Sequence, residues 1–203
     1  ICGLCNGDHT SCSLEADHIL LSRVSVSPNN SEMIQIVNPT DSPINLNEEG
    51  PSSYYLTDGS SPHPSNPEYY YNLPNPQEMG DEWSGTIYDF FMEFPENTII
   101  EAGDTLSIGM HDEESFEAYY NFSPDISLHT LFPNFWYDMS LENGEGINII
   151  DENSEVLILF YWDGLSKTVK DIDYFLWGSD YYGIDKSDVL INDDELGVSD
   201  CLL

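Results

Sequence analysis

An all-β antiparallel sandwich is the fold class this sequence predicts, and three observations predict it. Apolar runs of strand length recur along the chain, several alternating with period two. Gly, Pro, Asn and Asp punctuate them at close intervals. Only residues 112–121 look helical, and that stretch is short. With 203 residues the chain is long enough for one large domain with a real core, and 13% aromatic content sets it apart from a disordered acidic tail.

The chain divides into three parts. Residues 1–16 read as a cysteine-rich linker stub, 17–192 as the sandwich, and 193–203 as an acidic C-terminal segment expected to continue into a longer chain. Cys2, Cys5 and Cys12 crowd into ICGLCNGDHTSC, and Cys201 lies far away. The neighbours Asn6, Gly7, Asp8, Thr10 and Ser11 suit a tight disulfide loop, the staple that a small segment without a core needs. One of the three thiols lacks a local partner and is expected to pair with Cys201 or with a cysteine upstream. On spacing alone, His9 and the three thiols also fit a zinc site, the competing reading. The pattern C-G-x-C-x-G-D-x-x-x-C resembles short elements between modules of large secreted and cell-surface proteins. An extracellular or cell-surface location is the expectation.

Ile19–Val26 opens the sandwich, with Leu20, Val24 and Val26 expected on one face before the turn residues Pro28-Asn29-Asn30. Glu32–Val37 is rich in β-branched residues and must stop at Pro39, which has no N–H for a ladder. Ile44-Asn45-Leu46 alternates, and Tyr54–Asp58 is a strand running into a turn at Gly59. Residues 59–82 carry a dense run of Pro and Ser around Tyr69, Tyr70 and Tyr71, and read as a long loop folded over a sheet by its tyrosines. Tyr88, Phe90, Met92 and Phe94 then share one strand face, with Ile87, Asp89, Phe91 and Glu93 on the other. Thr98–Ile100 and Thr105–Met110 follow as strands, and 112–121 as the short helix. Residues 122–150 are irregular. Glu155–Trp162 is apolar enough to be buried on both faces, and Asp163-Gly164 is a hairpin signal that returns the chain through Thr168–Trp177.

Taken in order, these segments resemble a lamin tail domain. Leu20–Val24, Glu32–Asp41, Ile44–Leu46 and Tyr55–Asp58 look like its opening. Phe94–Leu106 is similar to its P-x-x-x-x-I-x-A-G-D stretch, Glu155–Phe160 to its G-E-x-V-x-L strand, and Asp171–Gly178 to its V-D-x-V-x-W-G. The variant resembles those in secreted or surface bacterial proteins more than the nuclear lamins. Gln35 stands where many members have an acid, Ser154 replaces a usual Gly, and the insertions at 59–82 and 111–150 are long. The resemblance implies an immunoglobulin-like β-sandwich, no enzymatic activity, and a binding or scaffolding role in a larger secreted or cell-surface protein. A Ca²⁺-dependent carbohydrate-binding accessory module, or an accessory domain of an extracellular hydrolase, are the alternatives. The partner is expected to be a protein or a surface glycan.

Charge narrows the partners. Four Lys+Arg face 38 Asp+Glu, a net charge of −34. Proteins that grip nucleic acid neutralise phosphates with Lys and Arg, and this chain has only Arg23, Lys167, Lys170 and Lys186. DNA, RNA and anionic membranes are excluded as partners on that ground, and no apolar run is long enough for a spanning helix.

Three groups of residues look like sites. Asp171 and Asp173 alternate along a strand and so are expected on one face; with Asp163 in the adjoining turn they form a candidate Ca²⁺ set, since a hard cation takes oxygen ligands. The competing reading is a solvated face with ion pairs to Lys167 and Lys170. Asn38-Pro39-Thr40-Asp41 is compact and polar, yet reads as a turn in which side chains bond neighbouring backbone. Tyr69, Tyr70 and Tyr71 with Trp83 and Trp136 either pin the long loop or form a stacking platform for sugars. There is no G-x-S-x-G, H-E-x-x-H or P-loop, and His9, His18, His63, His111 and His129 are scattered; no resident cofactor is expected.

Overall fold

The computed structural model describes residues 16–48, 50–59, 70–73, 89–128, 135–136, 149–184 and 186. Cys2, Cys5, Cys12, Cys201, His9, Tyr69, Trp83 and the segment 193–203 lie outside the described residues. Within them the chain is an all-β sandwich with one short α-helix.

The first sheet runs β1 (Leu20–Ser25), β2 (Met33–Val37), β7 (Thr105–Gly109) and β8 (Ile126–Ser127). β1, β2 and β7 are antiparallel, while β7 and β8 pair in parallel. The second sheet runs β11 (Lys170–Trp177), β10 (Glu155–Trp162), β4 (Ser53–Thr57), β5 (Phe91–Glu93) and β9 (Phe135–Trp136), antiparallel throughout. A two-stranded ribbon of β3 (Ile44–Asn45) and β6 (Ile99–Ile100) stands apart.

Period-two alternation sorts the side chains between two apolar layers. Ile34, Ile36, Leu106 and Ile108 of the first sheet meet Leu56, Met92, Leu157 and Leu159 of the second, with Phe90 and Phe94 among them. The intervening residues of the second sheet, Tyr55, Phe91, Val156, Ile158 and Phe160, face outward into a second cluster completed by Tyr70, Leu73, Val169 and Ile184. The run Val156–Phe160 is therefore buried on both faces, which is why it reads as unbroken apolar sequence.

The helix α1 (Glu113–Tyr120) follows from local chemistry. Asp112 caps it by accepting from the Ser115 N–H at 2.8 Å, and Glu113 and Glu114 sit in the first turn, where the helix dipole favours negative charge. Asn121 ends it in the left-handed region (φ 61°), its N–H bonded to the Glu117 carbonyl. Phe116, buried, anchors the helix to the sandwich.

Two expectations are corrected. In β1 the register shifts between Leu21 and Arg23, so the face that packs on the core holds Ile19, Leu21, Val24 and Val26 in place of Leu20, Val24 and Val26. An extra residue at Ser22 breaks the alternation. The Asp163-Gly164 turn is also wider than a two-residue hairpin, since β11 resumes only at Lys170. The Trp162 indole N–H donates to the Ser166 carbonyl at 3.0 Å and holds the loop open.

Candidate functional site

The three candidate calcium ligands are each held by a different part of the fold. Asp163 folds back on its own loop: its carboxylate accepts from the Leu165 N–H (2.9 Å), the Ser166 N–H and the Ser166 hydroxyl (both 2.6 Å). The Ser166 hydroxyl, then these two backbone groups, hold its carboxyl below the usual value. Asp171 and Asp173 do not share a face. Asp171 pairs with Phe160 and Asp173 with Leu159, and the register shift leaves Ile172 bulged between them. Because Leu159 and Phe160 point to opposite sides of β10, the two carboxylates part.

On the outer side, Asp171 is buried and accepts from the Tyr70 hydroxyl at 2.8 Å, while its other oxygen pairs with the Lys186 ammonium. Lys186 also lies over the Tyr174 ring at 4.8 Å, and the Tyr174 hydroxyl accepts from the Ile184 N–H at 3.1 Å. Burial, followed by the Asp171 charge, keeps the Tyr70 phenol protonated far past its ordinary range. On the inner side, Asp173 is buried and accepts from the Leu21 N–H at 2.7 Å. It thus ties edge strand β11 to edge strand β1 of the opposite sheet, bulge to bulge. Among the described residues no group of three His, Cys, Asp or Glu side chains is placed to hold a metal ion.

Tyr70 is fully buried, packed against Phe160 (ring centroids 4.9 Å apart) and Tyr71 (5.5 Å), so it pins its segment to the sheet and offers no stacking platform. Asn38 is likewise structural. It is fully buried, its amide donates to the Ser42 and Ile100 carbonyls at 2.8 and 2.9 Å, and its oxygen accepts from the Thr40 N–H and hydroxyl. An open concavity of about 700 Å³ borders this turn, lined by Asp17, Thr40, Asp41 and Ser42.

Among the buried acids that sequence reasoning passed over are Glu32 and Asp58. Glu32 has no exposure; its carboxylate accepts from the His111 ring at 3.1 Å and from the Ile149 and Ile150 N–H groups at 3.0 and 3.3 Å. Burial pushes its carboxyl up, against the opposing pull of His111 and the Ile149 N–H. Asp58 closes β4, also with no exposure. Both sit at strand ends, and a signal for their burial exists only once the strands are paired.

An exposed aromatic group lies at the end of α1 and just after it. Tyr119 and Phe122 are 55% and 44% exposed and flank Tyr120, with ring centroids 4.9 and 5.8 Å from it. Arg23 stands over the Tyr120 ring at 6.0 Å. Beside Tyr119 lies an open concavity of about 390 Å³ lined by Asn30, Asp112, Glu114 and Ser115. Burial pushes the Asp112 carboxyl up, but the Ser115 backbone and hydroxyl outweigh it and hold it below the ordinary value. Aromatic faces beside carboxylates, an amide and a hydroxyl can stack on an apolar ring face and hydrogen-bond hydroxyl groups.

No helix among the described residues is long and apolar enough to cross a membrane. Comparisons with protein-family models, with curated proteins and with solved structures found no match to this chain.

Proposed function

We propose that the chain is a non-catalytic binding module of lamin-tail type, with an immunoglobulin-like sandwich, carried by a larger secreted or cell-surface bacterial protein. Its partner is a surface glycan that docks on α1. The α1 surface carries this reading: Tyr119 and Phe122 present flat apolar faces to solvent next to the Asn30, Asp112 and Glu114 side chains. The lamin-tail part is supported by the placement of the resembling stretches. Leu20–Val24, Glu32–Val37, Tyr55–Thr57, Glu155–Phe160 and Asp171–Trp177 fall on β1, β2, β4, β10 and β11 of the sandwich, Ile44–Asn45 falls on β3 of the ribbon, and Ile99–Leu106 spans β6 and β7. Polar residues that looked reactive in sequence, Asp171, Asp173 and Asn38, are engaged in holding the fold.

A glycan panel titrated against the 203-residue chain, read by tyrosine and tryptophan fluorescence, tests the proposal. At least one neutral or cationic glycan should bind, and Tyr119→Ala should abolish the response while leaving the thermal midpoint unchanged. Binding that survives both Tyr119→Ala and Phe122→Ala would place the surface elsewhere and refute it.

A further inference from the structure

One corner of the sandwich buries the Asp58 and Glu155 carboxyl groups, and no Lys or Arg among the described residues pairs with either. Asp58 follows β4 and is completely buried. Its Oδ1 accepts from the Phe90 N–H at 2.6 Å, and its Oδ2, equally buried, has no hydrogen-bond partner among the described residues. Asp89 precedes Phe90 at the entry to β5. Glu155 opens β10, is buried, and its Oε1 accepts from the Val156 N–H at 3.1 Å. The charges that bear on Asp58 are those of Asp89 and Glu155, and those on Glu155 are Asp89 and Asp151. From the turn before β10, Ile149 and Ile150 reach across to Glu32 of the first sheet, which is itself bonded to His111.

None of the four Lys and Arg residues can neutralise this corner. Arg23 lies over Tyr120 and Lys186 pairs with Asp171. Lys167 and Lys170 belong to the loop and strand after Trp162, at the far end of β10 from Glu155. The eight residues of β10, at about 3.3 Å per step, put its ends roughly 23 Å apart. An ionised carboxylate with an unpartnered oxygen in a dry interior is strongly disfavoured. A hydrogen on that oxygen removes the charge and with it most of the cost of burial.

We propose that the buried Asp58 carboxyl is a proton-binding site in the corner between β4, β5 and β10, its orphaned Oδ2 carrying a hydrogen in the folded chain, so that acidification tightens the sandwich. The electrostatics agree in direction. Burial first, then the Asp89 and Glu155 charges, push the Asp58 carboxyl well up, and burial lifts Glu155 to about 7. Folded-state values above the unfolded ones mean that the folded chain holds the extra proton. The associated stability is full below the ordinary carboxylate range and is lost as pH rises through the folded values, with Glu155 setting a window that extends to about pH 7. One proton changes the folded-to-unfolded ratio by up to about tenfold per pH unit, roughly 3–6 °C in Tm for a domain of this size.

The test is Tm of the full chain between pH 5 and 8.5 at constant ionic strength, for wild type, Asp58→Asn, Glu155→Gln and the exposed control Asp41→Asn. Wild type and the control should lose Tm steadily as pH rises. Asp58→Asn keeps the acceptor for Phe90, places an amide N–H where the proton lay, and should flatten the slope and exceed wild type at pH 8. Infrared difference spectra should show a protonated-carboxyl band at pH 7 that persists in Glu155→Gln and that Asp58→Asn diminishes. A wild-type Tm independent of pH, an undiminished slope in Asp58→Asn, or no such band at pH 7 each overturns the proposal. So does millimolar Ca²⁺ that raises wild-type Tm at pH 8 through Asp58, since a cation would then occupy the corner. The infrared measurement on wild type decides the matter even if both variants fail to fold.

Discussion

Replacing Asp171 by Asn tests the claim that this residue clamps the outer layer. Its carboxylate is the common partner of Tyr70 and Lys186, which belong to the two segments covering the outward face of β10 and β4. The amide introduced by Asp171→Asn still accepts from Tyr70, but it leaves the Lys186 ammonium facing an uncharged group. Breaking a buried charged pair by removing one partner costs about 3–5 kcal/mol. The Lys186 side chain is 27% exposed and can swing toward water, so the lower end applies, about 3 kcal/mol. Tyr70→Phe removes only a hydroxyl under a ring that stays packed, and should cost about 1–1.5 kcal/mol. The double variant Asp171→Leu with Lys186→Met removes both charges and leaves only the Tyr70 hydroxyl unpaired, so it should cost about 1–2 kcal/mol, less than Asp171→Asn. Urea unfolding at pH 7 with thermal scans measures all three; at roughly 2–4 °C per kcal/mol, Asp171→Asn should lose about 6–12 °C. Hydrogen exchange should show residues 70–73 and 181–184 opening first. A loss under about 1 kcal/mol in Asp171→Asn, or a double variant as unstable as the single one, would refute the clamp.

Further outcomes follow from single contacts. Gly178 has φ +77°, and a Cβ there would lie 2.0 Å from the Asn153 carbonyl oxygen, so Gly178→Ala should lower stability by roughly 3 kcal/mol in urea melts. Asp173→Ala removes the acceptor of the Leu21 N–H; it should cost about 2 kcal/mol and raise hydrogen exchange at Leu21 specifically, a readout that unchanged exchange would contradict. Asn38→Ala strips one buried side chain of its bonds to Thr40, Ser42 and Ile100, and should cost about 3 kcal/mol by the same assay. Tyr119→Ala and Phe122→Ala touch exposed rings and should stay within about 0.5–1 kcal/mol of wild type, leaving any change in glycan binding attributable to the surface.

Much of this molecule is local and was legible before any strand was paired. The apolar run Val156–Phe160, the breakers at Pro39 and Pro95, and the alternation of Phe90, Met92 and Phe94 against Phe91 specify strands because each depends on neighbours two residues away. Asp112 and Asn121 likewise bound α1 by bonds within one turn. The Ser154 that departs from the lamin-tail pattern is legible only in three dimensions: its hydroxyl accepts from the Ser179 N–H at 2.9 Å, beside the Gly178 that the pattern does contain.

The site was decided by tertiary structure. Alternation places Asp171 and Asp173 together and Leu20 with Val24, and both inferences fail at an inserted residue, Ile172 in β11 and Ser22 in β1. Nothing within either strand announces its bulge. What holds them is a contact between residues 152 positions apart, the Asp173 carboxylate on the Leu21 N–H, where an edge strand of one sheet meets an edge strand of the other. The sequence by itself determined that strands, turns and one capped helix would form, because those follow from short-range sterics and hydrogen bonding. Which carboxylates are clamped, which is orphaned at Asp58, and which aromatic rings face water were decided only when two sheets closed on each other, because burial and charge pairing are properties of the assembled pair.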